Sequence, residues 1–345
     1  MTALLIVGHG TRDPEGAADF RAFVERVARR APNPVDGGFI ELSAPPVGEA
    51  VTRLVEAGQR RLAAVPLVLV AAGHAKGDIP GSLNRERLRH PGLSFSYGRP
   101  LGVHPTILAL LEARLDAVLP RAERADAAVL LVGRGSTDPD ANAEVYRAAR
   151  LLWEGRGIGM VETAFVSLAH PSVAEGLERC RRLGAKRIVV LPYFLFRGVL
   201  PDRIVEQSAG YDVAPVIGDC DELADLVLER YAEAVAGDIR MNCDTCVYRI
   251  AMPGFEDKVG AAQAPHHHPD EDGHGHDHGH SHGNGHGADH DHDHGADHDH
   301  DHHHCEHHGP SHSHDPGSNH DPDPGQGPDP ALSSSHDSDR APAHG

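Results

Sequence analysis

The chain carries the same half twice. Gly8-His9-Gly10-Thr11-Arg12-Asp13-Pro14 returns as Gly133-Arg134-Gly135-Ser136-Thr137-Asp138-Pro139. Phe39-Ile40-Glu41-Leu42-Ser43-Ala44-Pro45 returns as Phe165-Val166-Ser167-Leu168-Ala169-His170-Pro171. A third pair sets Pro66 to Pro80, apolar and then Gly73-His74-Ala75-Lys76-Gly77-Asp78-Ile79-Pro80, against Arg187 to Pro201. On this alignment Gly10, Asp13, Pro14, Leu42, Pro45, Gly77 and Pro80 keep their identity. His9, however, becomes Arg134, Glu41 becomes Ser167 and His74 becomes Leu195. Residues that shape backbone survive in both copies, whereas the imidazoles and the carboxylate survive in one. A duplicated scaffold with a single active site, in the first half, is the expectation.

Each half alternates short apolar runs with amphipathic stretches, the pattern of a parallel sheet covered by helices. Strands are expected near 3–7, 38–42, 66–72 and 93–97, and again near 127–132, 161–166, 187–194 and 212–217. Val65 to Ala72 is almost continuously apolar, as a strand buried on both faces would be. Asp13-Pro14 opens the first helix with an N-cap followed by proline at its first position. Leu108, Leu111, Leu115 and Val118 give the stripe of a helix closing the first half, and a last helix is expected over about 220–235. The predicted fold is α/β: two similar four-stranded parallel sheets flanked by helices, facing across a cleft. Ligands of such sheets bind beyond the carboxyl ends of the strands. His9 follows the first strand, Glu41 ends the second and His74 follows the third, so all three fall on one rim.

Composition separates the body from the tail. Of the net charge of −19, −16 belongs to residues 266–345. The body is therefore close to neutral, and no basic patch argues for nucleic acid. The tail also holds 24 of the 29 histidines and has almost no large apolar side chain, so it reads as a disordered, His/Asp-rich, metal-binding extension. No apolar stretch is long enough to span a membrane. Five cysteines without a disulfide-framework spacing favour a reducing cytoplasm.

Two imidazoles and a carboxylate on one rim can bind a divalent cation, accept protons, or both. Val7-Gly8-His9-Gly10-Thr11-Arg12, Phe39-Ile40-Glu41-Leu42 and Gly73-His74-Ala75-Lys76-Gly77-Asp78-Ile79-Pro80 carry a resemblance. Together they resemble the sirohydrochlorin chelatase family, and within it the long, duplicated CbiX type that inserts cobalt during cobalamin biosynthesis. The resemblance covers about 1–240, with a similar Met-x-Cys-x-x-Cys at 241–246 and a His-rich tail. It implies an N-terminal chelatase domain over 1–122, a degenerate one over 125–240, a Cys-x-x-Cys segment over 241–265 and the tail over 266–345. His9 would be proton acceptor and metal ligand, His74 the second metal ligand, and Glu41 an aid to deprotonation or cation entry. Leu69, Val70, Ala71, Ala72 and Gly73 would line the tetrapyrrole pocket. Co²⁺ would be the substrate metal and sirohydrochlorin the organic partner. Arg12, Lys76 and Arg134 are candidate anchors for its eight carboxylates. No ATP is implied, and no Gly-x-x-x-x-Gly-Lys phosphate loop occurs.

Cys243 and Cys246 could supply two thiolates to an iron–sulfur cluster, as the resemblance suggests. A [4Fe–4S] cluster takes about four ligands, so a cluster shared across a homodimer and a plain metal or redox pair both stay open. Cys180 and Cys220 are expected in helices and buried. Two other readings of the chain stand beside the cobaltochelatase: a ferrochelatase serving siroheme synthesis, and a metal-storage or chaperone protein whose body is only a platform for the tail.

Overall fold

The computed structural model describes residues 1–238, 248 and 256–261. The chain divides into Met1–Asp272, which holds all of these, and Gly273–Gly345. Cys243, Cys246 and the His-rich tail lie outside the described residues.

Two four-stranded parallel sheets form, as the pattern predicts. The first half runs β1 (Ala3–Gly8), α1 (Pro14–Arg30), β2 (Val35–Phe39), α2 (Val47–Glu56), β3 (Arg61–Pro66), α3 (Ile79–Arg89), β4 (Ser94–Tyr97) and α4 (Pro105–Asp116). The second runs β5 (Ala127–Gly133), α5 (Pro139–Trp153), β6 (Met160–Phe165), α6 (Val173–Arg182), β7 (Arg187–Pro192), α7 (Val199–Gln207), β8 (Asp212–Val213) and α8 (Asp221–Ala236). Strand orders are β2-β1-β3-β4 and β6-β5-β7-β8. The central strands β1 and β5 are buried along their whole length, which is why both read as unbroken apolar runs. Asp13 caps α1 by accepting from the N–H groups of Glu15 and Gly16, and Asp138 caps α5 through Asp140 N–H.

Two strands are displaced from their expected places. β2 spans Val35–Phe39 rather than 38–42, and β3 spans Arg61–Pro66 rather than 66–72. β1 sets both limits, since its ladders end at Gly8↔Phe39 and Val7↔Pro66. Beyond Leu67 N–H, which still reaches Val7 O, the apolar run has no strand to pair with. It leaves the sheet and becomes a wall of the cleft. The hydrophobic start of β2 is hidden because Gly37 and Gly38 stand where apolar side chains would; a Cβ on Gly38 would lie 2.6 Å from Val47 Cα, so α2 sits directly on the strand.

The ladders also correct the third repeat. Leu67 N–H donates to Val7 O and Tyr193 N–H to Val132 O, and Leu101 and Ile217 donate to Val68 and Phe194 in the same way. Pro66 therefore corresponds to Pro192. The helices that follow keep the other offset, since α3 and α7 begin at Ile79 and Val199 and bury Leu83 and Ile204 in register, so the Gly77–Gly198 and Pro80–Pro201 matches stand and the second copy is shorter between strand and helix. The imidazole is lost in the second copy on either alignment.

The closing helices are exchanged. α4, expected to complete the first half, packs on α5 and β7, and α8 packs on β3, β4 and α1. Arg230 in α8 donates to the carbonyls of Pro100 and Leu101, and Arg114 in α4 donates to that of Ile217. One apolar cluster consequently runs through both halves, joining Leu4, Ile6 and Val65 to Val129, Leu131 and Val227. No helix among the described residues is long and apolar enough to cross a membrane.

Candidate active site

The turn after β1 brings His9 over the end of the turn after β2. Glu41 N–H donates to His9 O at 3.2 Å, and Gly10 adopts φ 106° so that Glu41 O can pass where a Cβ would be, only 1.8 Å away. Gly135 repeats this against Ser167 O at φ 90° and the same 1.8 Å. Such a φ is open to glycine at little cost, which explains why the glycine outlived the histidine in the second copy.

His74 arrives differently. Residues His74–Asp78 form one wide π turn, closed by Ile79 N–H donating to His74 O, before α3 begins. Single π turns of this kind gather at functional sites. Here the turn sets Asp78 beside His74, with Oδ2 2.6 Å from Nδ1. That contact fixes the proton on Nδ1 and leaves Nε2 as the ligand nitrogen, the arrangement metal-bound histidines use. Burial pushes the His74 pKa below its ordinary value, outweighing the upward pull of Asp78 and then Glu41. The imidazole is thus neutral, and its lone pair available, near pH 7.

His9, Glu41 and His74 converge: one ligand atom from each lies within 4.8 Å of the others, the one such cluster among the described residues. His9 Nε2 stands 3.5 Å from Glu41 Oε1. The two imidazoles meet edge to face, centroids 4.2 Å apart. Two nitrogens and an oxygen on one side of a cleft leave further coordination positions open. An open set suits an ion that must be handed on, where a closed tetrahedral site would retain it.

The cleft above the cluster has a volume of about 680 Å³ and is lined from both halves, within the usual range for small-molecule sites. Leu69, Val70, Ala72 and Gly73 form part of its wall, together with Phe194 and Phe196 from the second half. Ala71, expected among them, is not part of the lining, nor is Glu41. Arg12, Arg134 and Lys258 also face the cleft.

Lys76 is no carboxylate anchor. Its ammonium is buried against Asp138 at 2.7 Å and Asp140 at 3.0 Å, with all three side chains 4–6 % exposed. Its partners belong to the second half, which the local sequence around Lys76 could not reveal; its effect is to pin the π turn bearing His74 onto the start of α5. Asp78 was the residue missed, although its spacing of four from His74 was the available signal. Cys180 is buried in α6 as expected, while Cys220 is only half-buried and stands just before α8 without a side-chain capping bond.

Fold and site together define a two-halved α/β protein with two imidazoles and a carboxylate gathered beside a cleft lined from both halves. The chain belongs to the CbiX family, whose model matches residues 3–118 and again 128–234. It is 38% identical over 265 residues to a sirohydrochlorin cobaltochelatase of Priestia megaterium, covering 73% of this chain and 86% of that one. It is also 38% identical over 209 residues to a sirohydrochlorin ferrochelatase of the same organism, covering 60% and 78%. Among solved structures, SirB from Bacillus subtilis with Fe³⁺ superposes with a TM-score of 0.60 at 29% identity, covering 69% of this chain and 97% of that one.

Proposed function

We propose that this chain is a sirohydrochlorin chelatase that inserts Co²⁺ into the free macrocycle without ATP. The convergence of His9, Glu41 and His74 within 4.8 Å, beneath a cleft of tetrapyrrole-compatible size, carries the reading. Insertion removes two pyrrole protons while the incoming ion sheds water. His9 Nε2 and His74 Nε2 hold the ion loosely. Once the ion has left His9, that nitrogen becomes the base that takes the two pyrrole protons in turn and releases each to water, with Glu41 3.5 Å away to stabilise the imidazolium formed. The apolar wall of Leu67, Val68, Leu69, Val70 and Ala72 carries the macrocycle's faces, and cationic side chains at the rim face its carboxylates.

Cobalt is favoured over iron because the cobaltochelatase relative matches over the greater share of both chains and because the tail is so rich in imidazole. The same three donors also suit Fe²⁺, since ligand sets of this type rank ions more by the ion than by the site. A ferrochelatase is therefore the second reading. The free thiols of Cys180 and Cys220 fit a reducing cytoplasm. Cys243 and Cys246 are assigned no part in the insertion step.

The test is anaerobic insertion into sirohydrochlorin followed by its visible spectrum, with Co²⁺, Fe²⁺ and Ni²⁺ in turn. Metal-dependent change that is fastest with Co²⁺ and falls at least about 100-fold in His9→Ala, the scale of a lost general base, is the expected result. Insertion by His9→Ala and His74→Ala at the parent rate would remove the proposal. Deleting 266–345 separates enzyme from store, because an enzyme keeps its insertion rate while a store loses nearly all bound metal.

A further inference from the structure

Arg134 occupies in the second copy the position His9 occupies in the first, and its side chain reaches across the cleft to that histidine. Its Nη1 donates to His9 Nε2 at 3.0 Å. This is the ligand nitrogen of His9, because Nδ1 faces Gly10 O at 3.2 Å while Nε2 faces Glu41. A guanidinium remains protonated at any pH the fold survives and offers only donors. The lone pair it engages cannot bind a cation at the same time. Its positive charge stands against the nitrogen that an incoming ion would take.

We infer that Arg134 is a surrogate cation built into the second half, which holds the metal site closed until the polycarboxylate substrate draws it away. The inference rests on the reading of His9 as a metal ligand. Arg134 lines the same cleft as the tetrapyrrole wall, and guanidinium pairs with carboxylates through a planar fork that imidazole nitrogen cannot match. A carboxylate of the macrocycle therefore competes with His9 for Arg134 and wins. Its arrival frees Nε2, so tetrapyrrole and metal bind with positive coupling, and each raises the other's affinity by the same factor. Without tetrapyrrole the apparent metal affinity is reduced by the fraction of molecules in which Arg134 is away. Loss of the histidine in the second copy is on this account a gain of function: the duplicated position controls the site it once mirrored. Arg134 is a positioning residue, acting on the ion through His9.

The experiment uses the full chain with free Co²⁺ held by a metal buffer, so that metal on the tail does not enter. Carbethoxylation of His9 is followed by peptide mass spectrometry, and the Co²⁺ concentration that half-protects it is read without tetrapyrrole. Arg134→Gln is expected to speed modification of His9 in metal-free protein several-fold and to lower the half-protecting Co²⁺ about tenfold, within the usual range of coupling. Arg134→His, which copies the first half, is expected to act in the same direction, and Arg134→Lys to stay near wild type; either folded neutral variant decides the matter. Unchanged or higher half-protecting Co²⁺ in the Gln and His variants would overturn the inference. If Co²⁺ protects His9 equally in wild type and Arg134→Gln, this inference alone falls. If Co²⁺ protects His9 in no variant, the metal-site reading falls with it.

Discussion

His74 depends on a residue that does not touch the cleft. Asp78 accepts from Nδ1 at 2.6 Å and so selects the tautomer whose Nε2 is bare. Without it the ring is free to rotate or to present the protonated nitrogen. Outer contacts of this kind are worth about 10–100-fold in metal affinity. Asp78→Ala is therefore expected to raise the half-saturating Co²⁺ of insertion by about that factor, with circular dichroism unchanged, and Asp78→Asn, which can still accept through its carbonyl oxygen, to fall between. A half-saturating concentration equal to wild type would show that burial alone orients His74. At this scale the sequence was informative where the duplication supplied a contrast. His9, Glu41 and His74 stood out because Arg134, Ser167 and a leucine replaced them, and the structure brings all three together. Lys76 was misread because a charge in sequence carries no record of its partner, and Asp138 and Asp140 lie in the other half.

At the scale of elements, apolar composition reported burial but not pairing. The run from Val65 to Ala72 is apolar for two reasons in succession: first as the end of a central strand, then as the wall of a ligand cleft. Only the length of β1 shows where one becomes the other. The junction between the halves was similarly opaque. Between them Arg121–Asp126 forms a short 3₁₀ helix whose Arg124 is buried, 2 % exposed. Arg124 pairs with Glu112 at 2.8 Å and Asp116 at 2.6 Å, and Glu112 also takes Arg156 at 2.9 Å. Partial burial raises the Glu112 pKa, but the hydrogen bonds from Arg124 and Arg156 outweigh it and hold the carboxyl below its ordinary value. A depressed carboxylate stabilises the fold fully above its unfolded pKa, near 4.5, and loses that contribution as pH falls through the folded value. Glu112→Gln should then cost about 2 kcal/mol at pH 7, the scale of charged hydrogen bonds, with the difference from wild type shrinking below about pH 4.5. Urea titrations of both proteins across pH 7 to 4 would read it. A gap that stays constant with pH would mean that Glu112 acts by shape and not by charge.

At the scale of the whole molecule, sequence periodicity placed α4 and α8 correctly but assigned each to the wrong sheet. Their apolar stripes say that they are covered, and nothing in an amphipathic pattern says by which half. The exchange gives each sheet a helix from the other copy, so one apolar cluster spans both, and neither half can lose its partner without exposing a face of its own sheet. This is also what keeps Arg134 and His9 in register, since their two turns belong to sheets that share a core. Two halves built in this way should unfold as one. Calorimetry of the chain is expected to show a single transition with equal calorimetric and van't Hoff enthalpies, whereas self-contained halves would melt in two. The anchor of α8 offers a sharper test. Arg230, 2 % exposed, donates to Pro100 O at 3.2 Å, Leu101 O at 2.9 Å and Glu233 at 3.0 Å. Arg230→Ala leaves the carbonyls of Pro100 and Leu101 without their side-chain donor, while Glu233 keeps Arg99, a loss of about 3 kcal/mol for two unsatisfied buried acceptors. At about 2–4 °C per kcal/mol for a body of this size, the single transition should fall by about 6–12 °C and remain single. If the variant instead splits the transition, with only one part moving, the halves are energetically separate and the exchanged helices are contacts without cooperativity.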